Sequence, residues 1–434
     1  MNKKIILLSL FLALPAMADN NSWNGTVLGF EPAPKGLFGD MLGIRPILAE
    51  NGFTFSSNYL SQAASNIGGG YNTDNHVAYI DQFAFTFNQD LERWTGIADA
   101  RIEGNIVNRN HNDDLTVKRI QDPRVSGTDQ TQESSGGGSV TRLGWLTFAR
   151  SFDDRRMTWR IGMMNKVQEF DQIIPCDFQI RTLCGGKSAN SLTWSNWNIH
   201  TWGTTLSYKI TPEVTLKTGI MEQNSRATDR SHAWSWSTKG SKGFLLPFEV
   251  ETRTFVNDLP GVYNIGVLYT NAKQHDLYKD RSYNNTWFMY AGFNQQLTQH
   301  ANDPNRGLSL AISGSYHDER TNFMKYVISG SLRYRGLLDA RPEDWIGIGI
   351  SYTDLSDHYI KKQQLQNEQL NITDYNDPLY SPVPSSALNM EFYYRFRVTS
   401  WLEIQPDLQY WHNSGGLSET SDAFVLGLKT VITF

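Results

Sequence analysis

The sequence predicts an all-β protein: an antiparallel transmembrane β-barrel of about 16 strands, with a short N-terminal helical segment and long extracellular loops. Three observations predict this fold. Apolar and polar residues alternate along many segments, and these segments are about as long as a tilted membrane strand needs to be. Long polar connections also alternate with short ones along the chain. In addition, an export signal at the N-terminus directs the chain out of the cytoplasm.

Residues 1–18 have the organisation of a secretory signal peptide. Lys3 and Lys4 precede an apolar stretch at 5–15, and the sequence AMA at 16–18 fits a small-x-small cleavage site. The apolar stretch is too short to anchor the chain in a bilayer. No cysteine lies near the cleavage point, which argues against a lipoprotein.

The composition suits a wall that is apolar on one face only. The chain is hydrophilic on average, with a mean hydropathy of −0.45, yet 12% of its residues are aromatic and 35 are glycine. After the signal there is no run of about 18 apolar residues, so no transmembrane helix is predicted. The net charge of −5 gives no support to nucleic-acid binding.

Residues 19–52 do not show the strand alternation, and we interpret them as a separate periplasmic or plug-like segment. The stretch from Gly39 predicts a turn and then a short helix that ends at Gly52. The barrel is therefore expected to occupy residues 53–434.

From residue 53 onward the alternating segments can be assigned one by one to strands. The predicted strands are 53–63, 77–90, 95–107, 140–151, 157–168, 200–209, 213–223, 245–255, 261–272, 285–296, 306–316, 325–335, 345–355, 387–397, 400–411 and 422–434.

The two faces of these strands indicate which side meets lipid. In 387–397 one face carries Leu388, Met390 and Phe392, whereas the other carries Glu391 and Arg395. A dry protein core could not hold so many charges. The polar faces are therefore expected to line a water-filled lumen and the apolar faces to meet lipid, as in porin barrels.

The last strand, 422–434, shows the same pattern and ends the sequence on an aromatic residue. Leu426 and Leu428 share the apolar face, and Lys429 lies on the other. Phe434 is interpreted as a residue at the periplasmic edge and as a signal for the barrel-assembly machinery.

Three connections are long enough to be functional, namely 108–139, 169–199 and 356–386. Loops of this length commonly fold inward to narrow a pore. Cys176 and Cys184 lie close together in the second loop, in an oxidising compartment, and a disulfide is their expected state. A redox centre or metal pair is less well supported, because the spacing is not CxxC and no histidine lies nearby. No metal and no cofactor is predicted.

Both ends of the chain resemble a known family. Residues 39–52 follow the pattern G-D-x-x-G-x-R-x-x-L-x-x-x-G and run into a first strand and the Gly-rich stretch 64–70. Together with the ending 406–434, this resembles the OprB-type carbohydrate-selective porins of Gram-negative bacteria. Members of that family are 16-stranded barrels that admit glucose and related sugars, and the resemblance implies the same fold, outer-membrane location and substrates here.

The expected pore constriction consists of charged lumen residues at mid-height and two loop tryptophans, Trp194 and Trp197. Rings of charged side chains are how such channels select, although each of these residues could instead simply hydrate a wide lumen. The charged candidates are Arg101, Glu103, Arg160, Lys217, Glu249, Glu251, Glu391, Asp407 and Lys429. Tryptophans in or beside loops could pack on sugar C–H faces or form an interfacial girdle; they are Trp194, Trp197, Trp202, Trp234 and Trp236.

These observations favour passive diffusion of monosaccharides and short oligosaccharides, through a barrel that also contacts outer-membrane lipid and lipopolysaccharide. A monomer and a homotrimer both remain open. A general or other small-solute porin is the alternative, followed by an outer-membrane barrel enzyme and a secreted β-rich binding protein. No HExxH, GxSxG or Walker-type motif supports catalysis.

Overall fold

The structure, a computed structural model, describes residues 36–111, 114–133, 138–186 and 198–434. These ranges contain eighteen strands. Sixteen of them form a closed barrel in which each strand runs antiparallel to its neighbours and the last strand pairs with the first. The predicted fold class is confirmed. In chain order the strands are β1 Phe53–Gly70, β2 Val77–Asp90, β3 Ala100–His111, β4 Val140–Phe152, β5 Met157–Met164, β6 Thr201–Lys209, β7 Val214–Asn224, β8 Ser241–Val256, β9 Leu259–Thr270, β10 Gln274–His275, β11 Ser282–Tyr283, β12 Thr286–Gln296, β13 Gly307–His317, β14 Met324–Arg335, β15 Trp345–Leu355, β16 Ser386–Arg397, β17 Leu402–His412 and β18 Ser421–Thr433.

The short strands β10 and β11 form a separate hairpin within the connection between β9 and β12, and the other sixteen strands form the wall. Side chains alternate along each wall strand between the outside and the lumen. In β18, Leu428 is 44% exposed on the outer face, whereas its neighbour Lys429 is 1% exposed on the inner face. The outer face is therefore the apolar one, as a lipid-facing barrel requires.

Several strand boundaries differ from the prediction. Strand β1 extends to Gly70 instead of ending at residue 63. Strand β3 begins only at Ala100, because Leu91–Thr95 form helix α2, whose first turn is capped by the Asp90 side chain. Strand β8 starts at Ser241, before the predicted residue 245.

The predicted loop 356–386 contains helix α3, Asp357–Leu370. The Ser356 hydroxyl accepts hydrogen bonds from the backbone N–H groups of His358 and Tyr359 and so caps the helix. Among the described residues, no helix is long and apolar enough to cross a bilayer.

The predicted N-terminal helix is present as α1, Ile44–Glu50. Its Arg45 lies over the ring of Phe55, on the outward face of β1. The described stretch 36–52 thus contacts the barrel near the start of β1 and, through Arg45, its outward face. Residues 1–35, including the predicted signal peptide, lie outside the described ranges.

Two connections fold into the lumen, segment 114–133 between β3 and β4 and segment 165–186 between β5 and β6. They contain short helical turns at Thr116–Ile120, Lys166–Gln168 and Arg181–Leu183. Further short turns outside the lumen segments are Arg230–His232 and Ser414–Gly416.

Many of the buried apolar residues lie between these inward segments and the wall. Phe170 packs with Met164, Leu245 and Phe288 on one side of the lumen. On another side, the ring of Phe178 meets the ring of Tyr393 edge-on, with centroids 5.0 Å apart. The inward segments therefore give the barrel a packed interior over part of its cross-section.

Candidate functional site

The nine charged candidates all lie on lumen-facing positions of the wall, where they form three groups. The first group, which we call the Glu103 cluster, comprises Arg101, Glu103, Arg160 and Glu169. Glu103 accepts from Arg101 Nε at 2.6 Å and from Arg160 Nε at 2.7 Å. Arg160 also forms an ion pair with Glu169 of segment 165–186. The side chains of Arg101 and Glu103 keep 30% and 17% exposure, so this cluster is the part of the set that meets solvent most.

The second group, the Lys217 cluster, comprises Lys217 on β7 and Glu249, Glu251 and Arg253 on the neighbouring strand β8. Lys217 Nζ donates to Glu249 at 2.8 Å and to Glu251 at 2.6 Å. Glu249 is fully buried, and it also accepts from the backbone N–H of Asp171 at 2.6 Å. This cluster therefore ties segment 165–186 to the wall.

The third group, the Lys429 cluster, comprises Glu391, Asp407 and Lys429. The carboxylate of Glu391 accepts from the backbone N–H groups of Gln179 and Ile180, at 2.8 and 2.7 Å. Lys429 Nζ donates to the carbonyl oxygens of residues 176, 177 and 178, at 3.1 to 3.4 Å. Asp407 accepts from the side-chain Nε2 of Gln179 at 2.5 Å. All three wall residues are buried beneath the segment and bond it instead of facing water.

An ion triad that was not predicted completes this attachment. Asp177 of segment 165–186 accepts from Arg333 of β14 and Arg395 of β16, both at 2.7 Å, and all three side chains are 5% exposed. Burial alone would raise the pKa of Asp177, but the guanidinium groups of Arg395 and Arg333 outweigh it and hold that pKa at about 2. Asp177 therefore stays ionised at any ordinary pH.

Segment 114–133 is joined to both the wall and segment 165–186. Asp129 accepts from the backbone N–H of Thr182 at 3.0 Å and from Asn389 Nδ2 at 2.7 Å. Gln132 Nε2 donates to the carbonyl of Gln62 at 2.6 Å. Burial raises the pKa of Asp129 in spite of Arg181 nearby. The two segments thus form one inward body that narrows the barrel.

A closed 16-stranded barrel narrowed by inward segments and lined by charges of both signs is the architecture of a selective pore. The sequence model of the carbohydrate-selective porins, OprB family, matches residues 74–434. This chain belongs to the OprB family. The family resemblance predicted from the sequence is confirmed, and the family together with the closed barrel places this porin in the outer membrane of a Gram-negative bacterium.

Related proteins match the porin over almost its whole length. Porin B of Pseudomonas aeruginosa is 34% identical in an alignment of 424 residues that covers 93% of this chain and 92% of that protein. The putative porin QuiX of Acinetobacter baylyi is 32% identical in an alignment of 409 residues that covers 92% of this chain and 93% of that protein. A solved high-pH structure of OprB from Pseudomonas putida is 34% identical, with a TM-score of 0.90 over 94% of this chain and 100% of that chain.

The disulfide of the porin lies in segment 165–186, against the barrel wall. Cys176 and Cys184 are bonded, with Cα atoms 3.9 Å apart, and they pack in a buried cluster with Leu60 and Trp145 of the wall. The Glu133 carboxylate lies within 4.8 Å of both sulfur atoms. Because the sulfurs are bonded to each other, they offer no thiolate to a metal ion.

Replacing both cysteines, in C176S/C184S, is expected to loosen segment 165–186. For a loop this short, loss of the disulfide should cost about 2–3 kcal/mol. When samples are heated to different temperatures before electrophoresis, the midpoint temperature at which the folded band converts to the unfolded band should fall. An unchanged midpoint would show that the surrounding hydrogen bonds hold the segment without the disulfide.

The loop tryptophans do not line the lumen in the described part of the porin. Trp202 lies on the outward face of β6, and its Nε1 donates to the carbonyl of Trp236 at 2.9 Å. Trp234 and Trp236 are 51% and 53% exposed. These three suit an interfacial aromatic girdle better than the sugar contact expected for them. Trp194 and Trp197 lie outside the described residues.

Sequence reasoning missed Asp177, Glu169, Arg333 and Asp129. Arg333 lies on the lumen side of a correctly predicted strand, so the alternation of side chains along that strand could have indicated that it faces the lumen. Asp177, Glu169 and Asp129 lie in irregular segments where no periodicity indicates direction. For Asp177, its position beside Cys176 in a long loop was the only sequence signal.

Proposed function

We propose that sugars diffuse passively through this porin along a path bordered by the exposed side of the Glu103 and Lys217 clusters. The observation that carries the proposal is the partial exposure of Arg101 and Glu103 in a lumen whose other candidate charges are largely buried. The family supports sugars as the solutes. Both the family and the fold are those of a channel, and we infer no enzymatic activity.

The structure supports two different roles within the candidate set. The side chains of Arg101, Glu103, Arg160, Lys217 and Glu251 keep 5–30% exposure, and we assign these residues to the solute path. Glu249, Glu391, Asp407 and Lys429 are at most 3% exposed and bond the inward segment. We assign these four to positioning of that segment.

The chemistry of the Glu103 cluster suits a neutral polyhydroxyl solute. A sugar hydroxyl can accept from a guanidinium N–H and donate to a carboxylate oxygen. Because Arg101 and Glu103 are already paired, the surface offers donors and acceptors with little net charge. Such a surface should bind sugar weakly enough for it to leave, as conduction requires.

Replacement of Arg101 by alanine tests this assignment. Losing the donor should weaken glucose binding in the pore roughly 2- to 12-fold, the effect of about one hydrogen bond. Glucose-induced noise in single-channel current measures the binding, and liposome swelling measures the flux.

Arg155→Ala is the matched control, since Arg155 pairs with Asp99 at the short β4–β5 turn and its side chain is 77% exposed. Equal glucose binding in wild type and Arg101→Ala would remove Arg101 from the path. Equal swelling rates for glucose and a size-matched amino acid would instead favour a general porin and remove the sugar selectivity.

The proposal extends to maturation and surroundings. Residues 1–18 are removed as a signal peptide, 19–52 form a periplasmic segment and 53–434 form the barrel. The outward apolar face contacts outer-membrane lipid and lipopolysaccharide, which its many exposed large apolar side chains support. The barrel-assembly machinery recognises the C-terminal strand. Cross-linking in native membranes distinguishes a monomer from a homotrimer.

A further inference from the structure

The first and last strands of the barrel are unequal in length at their periplasmic ends. The last ladder pair joins Thr433 of β18 to Asn58 of β1, and the N–H of Phe434 donates to the carbonyl of Ser57 at 3.0 Å. Residues 53–56 of β1 therefore extend past the end of β18. On their other side these residues pair with β2. A strand edge that its neighbouring strand does not cover needs other partners for its backbone groups.

A single side chain bridges this gap. Arg45 of α1 donates through Nη2 to the backbone oxygen of Phe434 at 2.6 Å and through Nη1 to that of Phe55 at 3.2 Å. Its guanidinium carbon also lies 4.5 Å from the centre of the Phe55 ring. One guanidinium thus binds together the last residue after β18 and the part of β1 that extends past β18.

The residues before α1 continue the same contact. The N–H of Leu37 donates to the carbonyl of Thr433 at 2.8 Å. The rings of Phe38 and Phe434 are stacked, with centroids 5.6 Å apart. A side chain at Gly36 would collide with the backbone of Phe434. Residues 36–45 therefore follow the seam between the first and last strands closely.

The other face of this stretch is apolar and uncovered within the described residues. Leu42 is fully exposed, and Phe38 and Ile47 are 58% and 59% exposed. Their neighbour across the seam is the lipid-facing ring of Phe83, whose centroid lies 6.0 Å from that of Phe434. The exposed apolar face is thus continuous with the lipid-facing band of the wall.

We propose that residues 36–50 form an interfacial clamp. Arg45 holds the first and last strands together, and Phe38, Leu42 and Ile47 lie in the periplasmic, phospholipid leaflet of the membrane. A seven-residue helix such as α1 is too short to be stable alone in water, so it needs these contacts to form. Lipid covers this face because the face continues the lipid-facing band and carries apolar side chains whose exposure to water is unfavourable.

The lipid contact is tested by fluorescence quenching. A bimane label is placed at Leu42→Cys, and in a second variant at Glu50→Cys at the end of α1, in proteoliposomes of phosphatidylcholine. The two native cysteines are in a disulfide and leave one thiol for labelling. Brominated acyl chains should quench the label at position 42 several-fold more than that at position 50.

The other outcomes overturn the lipid contact. Quenching at position 42 by aqueous iodide and not by brominated lipid would show a solvent-exposed face. Protection from both quenchers would show that another part of this chain or a second copy covers it.

The seam contact is tested with Arg45→Ala. Two charge-assisted hydrogen bonds are lost, so the unfolding rate in detergent and urea should rise roughly tenfold. Amide exchange should quicken in β1 and β18 and remain unchanged in β8 and β9. Arg155→Ala, at another periplasmic turn, is the control. Unchanged unfolding and exchange in Arg45→Ala would overturn the clamp.

Discussion

Replacing Asp177 with asparagine is expected to release segment 165–186 from the barrel wall and to widen the channel. Asparagine keeps the size of the side chain and loses the charge that balances two guanidinium groups. Arg333 and Arg395 would then lose the buried carboxylate that they share, and Arg395 would keep its longer pair with Glu403, at 3.8 Å. Breaking a buried ion pair by removing one partner costs about 3–5 kcal/mol. The remaining contacts of Glu391 and Lys429 with the segment should not suffice to hold it in one position.

Single-channel conductance measures the release. The conductance of Asp177→Asn should exceed that of wild type, and liposomes should admit larger oligosaccharides. Asp339→Asn is the matched control, because Asp339 also pairs with an arginine, Arg306, at 2.8 Å, but its side chain is 92% exposed. That variant should conduct like wild type, since exposed pairs contribute little. Equal conductance in Asp177→Asn and wild type would contradict the anchoring role.

The depressed pKa of Asp177 fixes how the wild-type channel should respond to acid. A carboxyl with a folded-state pKa of about 2 and an unfolded value near 3.9 stabilises the fold fully above the unfolded value. This stabilisation is lost only as the pH falls from about 4 through 2. Between pH 7 and 5 the ion triad should therefore stay intact, and conductance should not increase through release of segment 165–186. Release of the segment should begin only in stronger acid.

The strands could be predicted because their signal is local. Alternation along β15 and β18 follows directly from two unlike environments, and the predicted ranges 345–355 and 422–434 agree with the observed strands within a residue. Helix α3 was missed because its sequence is polar, without a clear apolar stripe. Its position depends on distant partners, such as the hydrogen bond from Gln363 to the carbonyl of Pro382.

The lumen direction of the charged residues could be predicted, but their surroundings could not. Parity alone places Glu391 and Lys429 on the inner face of their strands. We expected water around them, and the structure instead buries both under segment 165–186. The contact from Glu391 to Gln179 joins residues 212 positions apart. No local pattern in an irregular loop indicates such a long-range partner, so the inward fold of the segment had to come from the structure.

Replacing Lys217 with methionine is expected to have the second-largest effect. Lys217 is the cation between Glu249 and Glu251, and it also donates to the carbonyl of Glu169 at 2.9 Å. Methionine fills a similar volume and leaves two neighbouring buried carboxylates with one cation fewer. The destabilisation should be about 3–5 kcal/mol, seen as a lower midpoint temperature in heat-modifiability gels. Arg253→Met is the control, because Arg253 also pairs with Glu251 but its side chain is 46% exposed; its effect should be small.

A double variant separates stability from sugar recognition in the Lys217 cluster. In K217M/E249Q the fully buried carboxylate is neutral, so most of the lost stability should return. Glu249 also accepts from the hydroxyl of Tyr290 and the N–H of Asp171, both at 2.6 Å, and a glutamine oxygen can still accept from them. Glucose binding should nevertheless stay weak, because the positive charge of Lys217 beside Glu251 is absent from the border of the solute path. Recovery of both stability and glucose binding in K217M/E249Q would show that Lys217 only holds the segment in place, and that sugar recognition rests on the Glu103 cluster.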